Sequence, residues 1–107
     1  MIKVRFLIGN KQLQGFEISG HAGYAESGSD IVCASVSSAA YMAANTITDV
    51  ICANADAVEG DGTMCVTLNQ PNEQANAVLK GLELHLTELS KQYPENIKII
   101  YGGVKNA

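Results

Sequence analysis

The chain has 107 residues, which fits one compact domain and leaves no room for two. Hydrophobic residues make up 47% of it and charged residues 17%, a globular and not a disordered composition. Its 11 acidic residues outnumber 7 basic ones scattered singly along the chain, which speaks against direct nucleic-acid binding, because that affinity comes largely from neutralising phosphates with a basic face.

Ile2, Val4, Phe6 and Ile8 alternate with Lys3 and Arg5 at the period of a half-buried strand. Gly9-Asn10-Lys11 marks a turn, and Leu13 to Ser19 reads as the return strand of a hairpin. A segment punctuated by Gly20, Gly23 and Gly28 follows and reads as a loop. Asp30 is a good N-cap, and Ile31, Val32, Val36, Ala39, Ala40, Ala43, Ile47, Val50 and Ile51 recur at helical spacing. Apolar over most of its circumference, this helix is expected to be central and buried, with Asn54 as its stop. Ala57 to Gly60 and Thr63 to Leu68 flank Gly60-Asp61-Gly62 as a second hairpin. Pro71 opens a second helix with the apolar stripe Ala75, Val78, Leu79, Leu82, Leu86 and Leu89, and Tyr93-Pro94 ends it. Ile97 to Tyr101 is the last strand.

The order ββαββαβ predicts a two-layer α+β domain, with both helices packed on one face of a mixed five-stranded sheet. The other sheet face is left to solvent or to a second subunit. No leader pattern opens the chain, and polar residues from Ser35 to Asp49 interrupt its longest apolar run, Ile31 to Ala53. The expectation is a cytoplasmic protein with no membrane partner. Three cysteines at irregular spacing fit reduced thiols and not a disulfide framework.

With Asp30 as cap, Cys33 falls in the first helical turn, where free N–H groups and the helix dipole favour an anion. Thiols ionise most readily in such settings. His21 stands across the loop, within reach to act as general acid and base. The Cys33 N–H is a candidate oxyanion donor, and Ser37, one turn on, shares the helix face of Cys33. Asp30 has two open roles, capping the helix or orienting His21. His85 flanks the leucine stripe and reads as a core-edge residue, and Cys52 and Cys65 read as structural. Metal binding is disfavoured: no CxxC is present, and 19 residues of helix would part Cys33 from Cys52 by about 28 Å.

Gly20-His21-Ala22-Gly23-Tyr24-Ala25, with Gly28, Asp30-Ile31-Val32-Cys33-Ala34 and Val36-Ser37, resembles the signature of the bacterial ribosomal-processing cysteine proteases, the Prp family. The resemblance covers nearly the whole chain. It implies a cofactor-free endopeptidase that removes the N-terminal extension of large-subunit ribosomal protein twenty-seven. In that reading Cys33 is the nucleophile, His21 the general acid and base, and Asp30 and Ser37 are supporting residues. Gly20, Gly23 and Gly28 then belong to a flexible loop that orders over the peptide. The resemblance also implies a homodimer whose partner is the basic N-terminal tail of that ribosomal protein, which an acidic enzyme suits. Ser35 departs from the small apolar residue or glycine usual in the family. The competing readings are a ribosome-assembly module that binds the same tail without cutting it, and a thiol hydrolase or acyltransferase of small substrates.

Overall fold

Two residues with positive φ, Asn10 at 53° and Lys11 at 63°, close the first hairpin. That backbone matches the twist of the strands on either side, β1 (Ile2–Gly9) and β2 (Gln12–Ser19). The computed structural model describes residues 1–21, 23 and 30–103. Within them follow α1 (Ile31–Asn45) with a π-helical extension (Thr46–Val50), β3 (Ala55–Gly60), β4 (Thr63–Leu68), α2 (Glu73–Gln92) and β5 (Ile97–Gly103). The strands lie in the order β3-β4-β2-β1-β5. The β1–β5 pair is parallel and the others are antiparallel, giving the mixed sheet expected from the element order.

The core lies between this sheet and the helices. Val4, Phe6, Phe16 and Val66 are fully buried with Val32, Ala43 and Ile47 of α1 and its extension, and with Leu79 and Leu86 of α2. Each such large side chain contributes roughly 1.5–3 kcal/mol by leaving water. The opposite sheet face is polar: Arg5 and Glu17 face each other across β1 and β2 and form a 3.1 Å ion pair.

A bulge interrupts β2. Leu7 pairs with Gly15 and Ile8 with Leu13, so Gln14 is the extra residue. The Leu13 carbonyl accepts from Asn76 Nδ2 of α2 at 3.1 Å, and this buried bond ties the helix to the irregular point of the strand.

Four expectations need correction. The first helix is not central: Ile31, Met42 and Val50 are 56%, 61% and 77% exposed, because a single helical layer on one sheet face leaves its outer surface uncovered. It also runs unbroken from Ile31 to Val50, 20 residues that are long and apolar enough, by length and composition, to cross a bilayer. Its buried stripe packs in the core beside the sheet. The helix ends at Val50 with Ile51 as its C-cap, short of Asn54: Cys52 takes φ 57°, and the Ala53 N–H turns back to the Ile47 carbonyl at 3.0 Å. At α2 the cap is Asn72, whose side chain accepts from the Ala75 N–H at 2.9 Å, so Pro71 precedes the cap.

Candidate active site

Asp30 sets the head of α1. Its backbone is extended (φ −78°, ψ 101°), and its carboxylate Oδ1 accepts from the Val32 and Cys33 N–H groups at 2.9 and 3.0 Å. Of its two roles, the structure shows the capping one. The Cys33 N–H therefore donates to Asp30 in this state, so the cap competes for the candidate oxyanion donor. Cys33 is the third residue of the helix and half-buried.

His21 is held from the sheet side. Gly20 ends the turn out of β2 at φ 91°, and its N–H donates to the Gly62 carbonyl at 3.1 Å. A side chain at Gly20 would run into the Met1 carbonyl. Gly62, in the β3–β4 turn at φ 70°, lies beneath the imidazole: a Cβ there would sit 3.4 Å from His21 Nε2. Gly20 thus seats the histidine through the β3–β4 turn. Gly23 is exposed, with φ 70° and nothing within 4 Å of an added Cβ. Gly28 and most of the loop lie outside the described residues.

These elements open onto one cavity of about 270 Å³, which brings together His21, Cys33 and Ser37. Its apolar walls include Ile18, Val36 and Met64, and Gly20 and Gly62 close the His21 side. Tyr41 also lines it, so Cys33, Ser37 and Tyr41 form an i, i+4, i+8 stripe down α1. The Tyr41 hydroxyl donates to Glu59 Oε2 of β3 at 2.5 Å. That hydrogen bond, then the negative charge of Glu59 and slight desolvation, raise the Tyr41 pKa above its usual value and keep it a donor.

The other thiols are elsewhere. Cys65 approaches Glu17 Oε2 at 4.0 Å and Thr67 Oγ1 at 3.7 Å, and Cys52 is exposed. Among the described residues, no group of three or more His, Cys, Asp or Glu is arranged to hold a metal. His85 is exposed in a groove between the helices and not at the core edge. Ser35 donates to the Ile31 carbonyl at 2.7 Å on that outer face, away from the cavity.

The sequence reading missed three contributors. Tyr41 was within reach of it through the helical spacing from Cys33. Gly62, which lines the cavity, and Glu59, which meets it through Tyr41, carry no local signal, because the β3–β4 hairpin brings both there.

A thiol at a helix head and an imidazole on a sheet turn thus line one cavity of a two-layer α+β domain. The chain belongs to the cysteine protease Prp family, whose model matches residues 1–98. It is 25% identical over 99 residues to the ribosomal processing cysteine protease Prp of Bacillus subtilis (strain 168), a match spanning 84% of this chain and 87% of that one. Among solved structures it is similar to the essential ribosomal processing protease Prp from S. aureus in complex with a covalently linked product peptide. That match has a TM-score of 0.88 at 26% identity, covering 95% of this chain and 100% of the other. The same S. aureus protease in complex with a substrate peptide matches at 0.82 and 25% identity, with the same coverage. SMU.848 from Streptococcus mutans matches at 0.78 and 27% identity, over 97% of this chain and 96% of that one. The fold is that of the family, and the family is one of ribosomal-processing cysteine proteases.

Proposed function

We propose that this chain is the endopeptidase that removes the N-terminal extension of large-subunit ribosomal protein twenty-seven in the cytoplasm, using a Cys33–His21 pair. The observation that carries this reading is the single cavity lined by both residues and by Ser37. Cys33 Sγ, as the thiolate, attacks the scissile carbonyl carbon, and the carbonyl π electrons move to its oxygen. As the oxyanion re-forms the carbonyl, the C–N bond breaks and the His21 imidazolium gives its proton to the leaving amine. Water then attacks the thioester carbon while His21 takes one of its protons, and the C–S bond breaks to release the thiolate and a carboxylic acid that ionises into solvent.

Asp30 supports this chemistry by fixing the helix head, and through it the position of Cys33. When the oxyanion forms, it competes with the Asp30 carboxylate for the Cys33 N–H. Ser37, exposed and one turn from Cys33, is the nearest hydroxyl on that helix face for contacting the peptide backbone. No cofactor enters the reaction.

The outer face of the helical layer suits a homodimer. Ile31, Met42, Val78 and Leu82 line an apolar groove of about 920 Å³ between α1 and α2, a hydrophobic surface of the kind that subunit interfaces cover. Sedimentation of the Met42→Glu variant should show monomers where the unaltered chain gives dimers.

The experiment that tests the function is a mass spectrum of the host's extended ribosomal protein after incubation with this chain and with its Cys33→Ala variant. A single cut made only by the unaltered chain is expected. No cut by either would replace the protease with a module that binds the tail without cutting it.

A further inference from the structure

Glu59, on the outermost strand of the sheet, meets the cavity through Tyr41, a lining residue two turns of α1 beyond the proposed nucleophile. Its Oε2 is fixed by the Tyr41 hydroxyl, and its Oε1 has no hydrogen-bond partner among the described residues. The ion pairs among those residues are Arg5–Glu17 and Lys91–Glu88, so this oriented carboxylate has no cation of its own there. Beside it the Tyr41 ring lines the cavity and is 45% exposed. A carboxylate held against an aromatic ring is a built receptor for a cationic side chain: the methylene stem lies along the ring and the charge meets both the π-face and the oxygen.

We propose that Tyr41 and Glu59 form the subsite for a lysine or arginine of the bound peptide, and so determine specificity. This rests on the peptidase reading of the same cavity. The register follows from the helix. Tyr41 is eight residues beyond Cys33, about 12 Å along the axis at about 1.5 Å per residue. An extended peptide rises about 3.3 Å per residue, which places the cation about three to four residues from the scissile bond. The Tyr41 hydroxyl orients the carboxylate, and the Glu59 charge selects.

The test measures binding apart from cleavage. Fluorescein-labelled peptides of the host junction sequence, with their basic residues replaced by Gln, receive a single Lys or a single Glu at each position in turn. Their affinities are measured by anisotropy for the full chain carrying Cys33→Ala, and for the same chain also carrying Glu59→Lys or Tyr41→Phe. Lys is expected to bind about fivefold more tightly than Glu at a position about three to four residues from the bond, the size of one exposed ion pair plus one exposed cation–π contact. Glu59→Lys should reverse that preference, and Tyr41→Phe should shrink it without reversing it. A preference that Glu59→Lys leaves unchanged, or no peptide binding at all, overturns the subsite. Cleavage of the same peptides by the chain with Cys33 intact separates the two readings. Charge-selective binding without cleavage removes the protease and keeps the subsite, whereas cleavage with charge-blind binding does the reverse.

Discussion

Replacing Asp30 separates what holds the helix from what drives the reaction. Its carboxylate accepts from two N–H groups at the head of α1, those of Val32 and Cys33. Asp30→Ala removes that cap, at a cost of about 1 kcal/mol within a range of about 0.5–2. At about 2.1 cal/mol/K per residue, the unfolding entropy of a chain this size makes 1 kcal/mol worth a melting shift of roughly 4–5 °C. Asp30→Asn keeps an oxygen in the same place and ranks with Asp as a cap, so its melting temperature should stay within about 1 °C of the unaltered chain. The assay pairs calorimetry with kcat/KM on the junction peptide. If Asp30 acts only as a cap, Asn retains both stability and turnover. If its charge also steadies the imidazolium, Asn keeps the melting temperature and loses turnover. Equal melting temperatures for the Ala variant and the unaltered chain would refute the capping argument, as would an Asn variant that melts as low as Ala.

Gly62→Ala puts an L-residue at φ 70° and a methyl group 3.4 Å from His21 Nε2; chemical denaturation should show a loss of about 1–2 kcal/mol from the left-handed backbone, and kcat/KM should fall by up to about tenfold as the imidazole shifts. Exposure alone ranks Cys52 ahead of the half-buried Cys33 and Cys65 for alkylation. Iodoacetamide labelling followed by peptide mapping should instead find Cys33 first, and slower in His21→Ala; labelling in order of exposure would remove the activated thiol. The Tyr101 hydroxyl donates to Glu83 Oε2 at 2.7 Å, and this bond, with partial burial and the Glu83 charge, raises the phenol above its usual 10.0. The folded state holds that proton more tightly than the unfolded chain. Its contribution is therefore complete below pH about 10 and is lost as pH rises through the raised value. Urea denaturation across that alkaline range should show a steeper loss for the unaltered chain than for Glu83→Gln.

Period-two alternation made β1 legible, and Gly60-Asp61-Gly62 located the second hairpin so well that β4 runs over the residues read for it, Thr63–Leu68. The bulge at Gln14 was hidden because Leu13-Gln14-Gly15-Phe16 are all buried, which erases the alternation that would reveal a register shift. α1 was ambiguous for a different reason. A helix apolar all round looks the same whether or not other elements of its own chain cover its outer face, and only the layer arrangement separates the two. That His21, Cys33 and Ser37 line one cavity was legible because their spacing is local to one loop and one helix. Gly62 and Glu59 were not, since their approach to the site depends on β4 pairing with β2 and on β3 pairing with β4.

The cavity draws its two proposed reacting groups from different layers, His21 from the sheet turn and Cys33 from the helix above it. Their separation is therefore a gap between layers, set by the volumes of residues such as Phe16, Val36, Ala40 and Val66 that make up the core. Interior packing becomes a calibration of chemistry as well as a source of cohesion. A core substitution mild enough to leave the melting temperature nearly unchanged can still detune turnover by letting α1 settle closer to the strands.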